Sequence, residues 1–336
     1  MGYSSQSGQV IVRSQAVTGV PQADLGTAGV AVRLRSGSMA VNRDVLTLDP
    51  EIGGGRDTSD AYLGPANYTG DYEMYPRFDS IGVFLRAGFG TAVSATASGV
   101  NTHTITPSDG QLPYLTVYEE ISSALERYMY TDAVVNTLHF EADANGFLMC
   151  TAGMIAREQE VGVADIDGSA LFDTTGTTVG TSIQITYNGL TLPAKSFSWD
   201  LTNNVEDDDF RLGSFTVGDL TAKQREITGS VSLRHSDAAL MRQAALGTAA
   251  ATEVGGKTTK QQMVITMTSY DNITGSTPLT PYSLSFTMPF VMFSPFAFEP
   301  SGDDVLENDV EFTVLRINPA NPIMTAVLKN GKPAIA

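Results

Sequence analysis

The chain holds three histidines, His103, His139 and His235, and one cysteine, Cys150, and none of them stands at a metal-ligand spacing from another. A structural or catalytic zinc needs such residues in short paired spacings. No metal and no cofactor is therefore expected. His235-Ser236-Asp237 carries the letters of a hydrolytic triad, but consecutive residues cannot meet as nucleophile, base and orienter. Ser236 reads better as a helix cap. The Gly53-Gly54-Gly55 run sits in a loop, without the strand-to-helix setting that cradles a phosphate. The acidic run Glu206-Asp207-Asp208-Asp209 offers hard oxygen ligands for Ca²⁺, yet lacks the alternation that aims carboxylates inward. A solvated loop tip is the favoured reading, and Glu307 with Asp309 reads the same way. Glycosidic carboxylate pairs come from distant strands and leave no local mark. A single Trp argues against a sugar cleft, and the chain reads as no enzyme.

The elements that would position any site are mostly strands. "VAVRLR", "TLHFEAD", "GFLMCTAGMIA", "TSIQITYN", "SFSWDL", "EITGSVSLR", "QMVITMTS", "YSLSFTMPFVMF" and "VEFTVLR" alternate with period two and are rich in β-branched and aromatic residues. Asp143 to Gly146, "DANG", is a hairpin signal between two apolar runs. Helical pattern is scarce. One helix is expected from Ser80 to Phe89, with Ile81, Phe84, Leu85 and Phe89 on one stripe, Asp79 or Ser80 as cap and Gly90 as stop. A second is expected from Asp237 to Leu246, with Leu240, Met241, Ala244 and Ala245 on its stripe and Gly247 as stop. Glu119 to Arg127 is a third candidate.

The 336 residues carry 42% hydrophobic and 17% charged residues, enough to bury a core. A net charge of −17 argues against a surface that grips phosphates. The chain begins without an apolar leader, and no window approaches about 18 uninterrupted apolar residues. No membrane role and no secretory route are expected.

"TGDYEMYPRFDSIGVFLRAGFG" from Thr69 and "TGSVSLRHSDAALMRQAALG" from Thr228 share a Thr-Gly, an extended run and a Gly-terminated helix. Upstream, "AVRLRSG" ending at Gly37 is matched to "SIQITYNG" ending at Gly189, and "VLTLD" ending at Asp49 to "SFSWD" ending at Asp200. Co-linear matches of this kind read as an internal repeat. The expected organisation is an arm (1–27), a first domain (28–165), a linker (166–179), a second, related domain (180–330) and a tail (331–336).

"LTLDPEIGGGRDTSDAYLGPANYTGDYEMYPRFDSIGVFLRAGFG" resembles the tail tube proteins of long-tailed, non-contractile bacteriophages, as do "TLHFEADANGFLMCTAGMIARE" and "EPSGDDVLENDVEFTVLR". The resemblance implies a mainly β chain with two related tail-tube-like β-sandwich domains, each with a short helix, lending strands to a shared inner β-barrel. It implies a homo-oligomer: a trimer with pseudo-sixfold symmetry if both domains are tube domains, a hexamer if the second is an exterior decoration. Rings would stack around the tape measure protein, assemble in the host bacterial cytoplasm, and form the virion tail channel through which double-stranded DNA passes without specific binding. A capsid decoration protein or adhesin is the alternative. Six domains of four strands would close a barrel with a backbone diameter of roughly 48 Å. An acidic lining would let DNA slide.

Two long loops, Pro50 to Tyr68 and Leu201 to Ile227, are expected to join ring to ring, since idle connections are shorter. Ile52, Gly53, Gly54, Gly55, Arg56, Tyr62 and Leu63 in the first, and Val205, Phe210 and Leu212 in the second, are the candidate contacts.

Overall fold

The computed structural model describes residues 8–53, 56–58, 60–122, 125–234, 238–298 and 305–335. From the N-terminus the elements are β1 (Gln9–Ser14), α1 (Leu25–Ala28), β2 (Val30–Val32), β3 (Leu34–Ser36), β4 (Met39–Thr47) and β5 (Ala61–Met74). Next come α2 (Ile81–Phe89), β6 (Gly90–Ala97), β7 (Val100–Pro107), β8 (Leu115–Glu120), β9 (Arg127–Asp143), β10 (Met149–Ala156) and β11 (Glu158–Val161). β12 (Ile183–Tyr187), β13 (Leu190–Thr191), β14 (Ala194–Thr202), β15 (Glu226–Arg234) and α3 (Ala239–Leu246) follow. The last strands are β16 (Gln261–Asn272), β17 (Pro281–Phe293), β18 (Glu307–Val314) and β19 (Thr325–Asn330).

The fold is mainly β, and its antiparallel strands join into one large sheet that does not close into a barrel within the chain. Eight strands form its central ribbon, in the order β4, β5, β10, β9, β14, β15, β18, β17. The "DANG" turn makes the β9–β10 hairpin, with the Gly146 N–H donating to the Asp143 carbonyl at 2.9 Å.

Alternation sends one side of each ribbon strand inward. On β14, Phe197, Trp199 and Leu201 are buried, while Ser198, Asp200 and Thr202 face the other way. Trp199 stacks on Phe140 with ring centroids 4.9 Å apart, and the Phe286 ring meets Trp199 edge-on at 4.6 Å. Burying one such aromatic contributes about 2–3 kcal/mol. α2 packs beneath the ribbon with Ile81, Phe84, Leu85 and Phe89 all buried. Gly90 and Gly247 end their helices with φ of 113° and 105°, a conformation that glycine enters without steric cost.

The repeated Thr-Gly has a packing reason. Thr69 and Thr228 look away from the core, and each following glycine lets the neighbouring strand come close. A Cβ on Gly229 would lie 2.4 Å from the Ser198 carbonyl oxygen and 2.5 Å from Phe312 Cζ. One on Gly70 would lie 2.2 Å from the Ser38 oxygen.

Register corrects the upstream matches. Ala40 stands opposite Thr69 and Asp200 opposite Thr228, so Ala40, not Asp49, shares the place of Asp200. Asp49 lies beyond the end of β4. Gly37 falls between two strands that pair with β5, whereas Gly189 turns between β12 and β13. Short words matched by composition carry no information on cross-strand partners, so these matches slipped.

The expected helix at Glu119 to Arg127 is absent from the described residues, of which Ser123 and Ala124 are not part. Leu115–Glu120 is a strand paired with both β1 and β9, its six residues all buried. Pairing on both edges overrides the local helix propensity of "EEISSALER". The stretch expected as an N-terminal arm holds β1, paired with β2 and β8, with Val10, Ile11 and Val12 buried.

Candidate functional site: a polar sheet face

The ribbon's outward positions line up in rows that cross it. Glu141 of β9 stands opposite Ser198 of β14, Ser198 opposite Ser230 of β15, and Ser230 opposite Glu311 of β18. The next row is Asp143, Ser196, Ser232 and Asp309. A third holds His139, Asp200, Thr228 and Thr313. Asp71 and Glu73 continue the face on β5.

Hydroxyls in these rows bond one another: the Ser198 and Ser230 Oγ atoms are 3.0 Å apart. His139 Nδ1 lies 2.7 Å from Asp200 Oδ1, and its Nε2 lies 3.4 Å from Glu141 Oε2. The Asp200 hydrogen bond, with Glu141 adding to it, raises the imidazole pKa above its ordinary value against the opposing effect of burial. Two cations near the face pair with acids, Arg35 with Glu73 at 2.7 Å and Lys195 with Glu307, and Arg234 stands across from Glu307 on β15. Carboxylates thus outnumber cations across a broad surface of short, hydrogen-bonded side chains. Such a face repels phosphate, and a duplex lying along it would release few counterions by contact. Cys150 projects to the opposite side and is wholly buried, which pushes its thiol pKa up and removes it as a nucleophile.

A protein-family model described as phage tail tube protein matches residues 8–314. The chain belongs to the phage tail tube proteins. No match was found among curated proteins. Membership gives it a structural role in the virion tail and implies an oligomeric, stacked assembly. Among the described residues, no helix is long and apolar enough to cross a membrane.

The two long loops of this tail tube protein behave differently. β4 and the start of β5 project as a two-stranded arm exposed on both faces, with Val45 63% exposed. Ile52 at its tip is fully exposed, Arg56, Tyr62 and Leu63 are exposed, and Gly53 has open space around it. Gly54 and Gly55 lie outside the described residues.

The second loop instead folds back over the first half of the chain. The Ala66 N–H donates to the Phe215 carbonyl at 2.8 Å, and Asn67 Nδ2 to the Asp207 carbonyl at 2.8 Å. Asn203 anchors its root, with Nδ2 donating to the Gly88 and Val135 carbonyls at 2.9 and 3.0 Å. Val205, expected outside, is buried against Val134, Ile155, Val217 and Leu220, because its backbone bridges Ala222 and turns the side chain inward. Phe210 and Leu212 are exposed, as is Phe215, which pattern reading missed.

The acidic run meets cations rather than a bare solvent front. Glu206 is 3.0 Å from Lys223, and Asp209 shares Arg211 with Asp219 at 2.5 and 2.7 Å. Asp207 and Asp208 accept hydrogen bonds through their backbone carbonyls. On α3, Ala244 is buried, Leu240 is partly buried against the core and Met241 is half-buried. The helix's missed residue is Gln243, buried with Nε2 donating to the Tyr187 hydroxyl at 2.7 Å and the Thr259 carbonyl at 2.9 Å. His235, Ser236 and Asp237 lie outside the described residues, and the α3 N-cap is Ala238.

Proposed function

We propose that the polar face lines the bore of the tail tube, and that ribbons from several copies join edge to edge around it. One observation carries this reading. The strand order β4, β5, β10, β9 is followed by the matching order β14, β15, β18, β17, with a helix following β5 in the one and β15 in the other. A register shift also recurs, between Leu34 and Ser36 where β3 pairs with β5 and between Ala194 and Ser196 where β14 pairs with β15. The two halves are then copies of one module, and three chains supply six modules and about 24 strands around a bore of the width computed from strand spacing and tilt.

In this reading the tape measure protein fills the bore during assembly in the host cytoplasm. Double-stranded DNA later crosses the same space, kept off the wall by Glu141, Asp143, Asp309 and Glu311. The exposed β4–β5 arm, with Ile52, Tyr62 and Leu63, reaches the next ring in the stack. Replacing Glu141, Asp143, Asp309 and Glu311 with Lys tests the lining. Tubes should still form, since these side chains lie outside the core, but they should retain added duplex DNA in a salt-dependent manner. Variant tubes that bind no more DNA than the wild type would refute the lining.

A further inference from the structure

The β4–β5 arm and the loop between β14 and β15 leave their strands in the same way. Met39 opposes Gly70 as Trp199 opposes Gly229, so the pair Asn42–Asn67 matches the pair Thr202–Glu226. Beyond each pair the ladder slips by one residue. It resumes with Val45 opposite Leu63 in the arm and with Val205 opposite Ala222 in the loop. The shared slip makes Val45 the counterpart of Val205, Leu63 that of Ala222 and Ala61 that of Leu220.

The two roots differ in what covers them. Val205 is 7% exposed and clusters with Leu220 and Ala222 on Val134 and Ile155 of the first half. Val45 is 63% exposed, and Ala61 and Leu63 are exposed beside it.

The second half carries the matching platform. Ile155 stands between Thr69 and Val134, and Thr313 stands between Thr228 and Met292. Thr313 and Met292 thus hold the places of Ile155 and Val134. The opposite edge gives the same correspondence: Leu115 and Val117 meet Ala133 and Tyr130, while Gln261 and Met263 meet Val291 and Met288, so the two ladders carry one bulge at the same step. These positions all precede the irregularity of β9 between Val135 and Thr137, and the correspondence does not cross it. Where the first half joins Asp132 to Arg157 at 2.8 Å, the second has Phe290 and Leu315, held together by the Leu315 N–H donating to the Phe290 carbonyl at 2.8 Å. Phe290, Met292 and Leu315 are half-buried and belong to none of the three buried apolar clusters.

We propose that the root of the β4–β5 arm, Val45 with Ala61 and Leu63, packs on Met292 and Thr313 of a neighbouring copy in the same ring, as Val205 packs on Val134 and Ile155 inside the chain. Phe290 and Leu315 flank the contact and give it an apolar border where the internal junction has an ion pair. A second copy is the occupant because root and platform stand at opposite ends of the ribbon. β4 and β17 are its first and last strands, seven spacings of about 4.8 Å or roughly 34 Å apart, and the sheet does not close within the chain. Each chain makes this junction once, between its own halves, and offers the two sides of a second. The arm's tip, with Ile52, stays free for the next ring. The inference rests on the ring reading and adds the contact that joins one chain to the next.

A Val45→Asp/Leu63→Asp chain tests it. Both side chains are exposed in the single chain, so the variant should keep the thermal midpoint of the wild type. Burying the new carboxylates at the contact should cut the yield of rings about tenfold or more by sedimentation. Ile52→Asp, at the tip, should still give rings. Rings of wild-type yield from the double variant, stacked or not, would overturn the packing and leave the ring standing; wild-type protein that forms neither rings nor tubes would overturn both. A photo-reactive benzoylphenylalanine at position 45 of the otherwise unmodified chain reads the position independently of that variant's folding. Irradiated assemblies should give dimers whose cross-linked peptide falls within residues 288–292 or 313–316 of the other copy, and capture of any other segment refutes the placement.

Discussion

His139 of β9 and Asp200 of β14 meet across the seam between the two halves of the ribbon, 2.7 Å apart, with Glu141 3.4 Å from the other imidazole nitrogen. The folded pKa of His139 is raised above 6.5, so its contribution to stability is full below the unfolded value and is lost as pH rises through the folded one. Both side chains are partly exposed, and solvent screening holds the effect to about 0.5–1 kcal/mol. Urea unfolding across that window should show a decline in the wild type and a flatter curve in Asp200→Asn. The His139 titration followed by NMR should fall toward 6.5 in the same variant; an unmoved midpoint would remove Asp200 as its cause.

Glu119 gives a pH dependence of the same sign from the opposite cause, because its neutral form is the one the fold favours. It is buried between Tyr72 and Met39, its Oε2 accepting from the Tyr72 hydroxyl and the Met39 N–H, both at 3.2 Å. Burial raises its pKa to about 7 from 4.5. The folded state holds this proton more tightly than the unfolded chain, so stability falls as pH rises from the lower value to the higher. Glu119→Gln keeps an acceptor and has no charge to bury. It should be the more stable form at pH 8 by an amount on the order of 1–3 kcal/mol, and equal or less stable at pH 4. Parallel curves for the two proteins would contradict this.

Gly229→Ala places a methyl 2.4 Å from the Ser198 carbonyl oxygen, a backbone atom that cannot swing away. The expected loss is about 2 kcal/mol or more, read as a lower urea midpoint with an unchanged slope. Stability within about 0.5 kcal/mol of the wild type would mean that β14 and β15 are further apart than the register requires.

Deleting 53–59 shortens the arm, and its described residues, Gly53 and 56–58, are all exposed. The chain should stay folded, with the same thermal midpoint within a few degrees, while rings fail to stack under the electron microscope. Full-length tubes from the deletion would exclude the tip as the joint.

Strand identity was legible in the sequence because period-two alternation reports burial of one face directly, as "SFSWDL" and "EITGSVSLR" do. The two helix ends were legible too, through Gly90 and Gly247. Register was not, because a short word matched by composition does not say which residue stands opposite it on the neighbouring strand, and Asp49 was matched where Ala40 faces Thr69. The Glu119 strand was hidden by its own acids, whose burial depends on Tyr72 from a distant strand and on Arg127 brought opposite Glu120 by the β8–β9 pairing. Nor could sequence tell that outward residues of β9, β14, β15 and β18 share one face, since that follows from cross-strand neighbours. Val205 was read as exposed because a long loop gives no local sign that it folds back onto Val134 and Ile155.

The most direct test of the account is a three-dimensional reconstruction of assembled tubes at a resolution that traces the strands. The account predicts a bore wall built from the Glu141, Ser198, Ser230 and Glu311 row, with three chains per ring. A wall formed by any other surface of the chain, with that row facing outward or buried between rings, would contradict it.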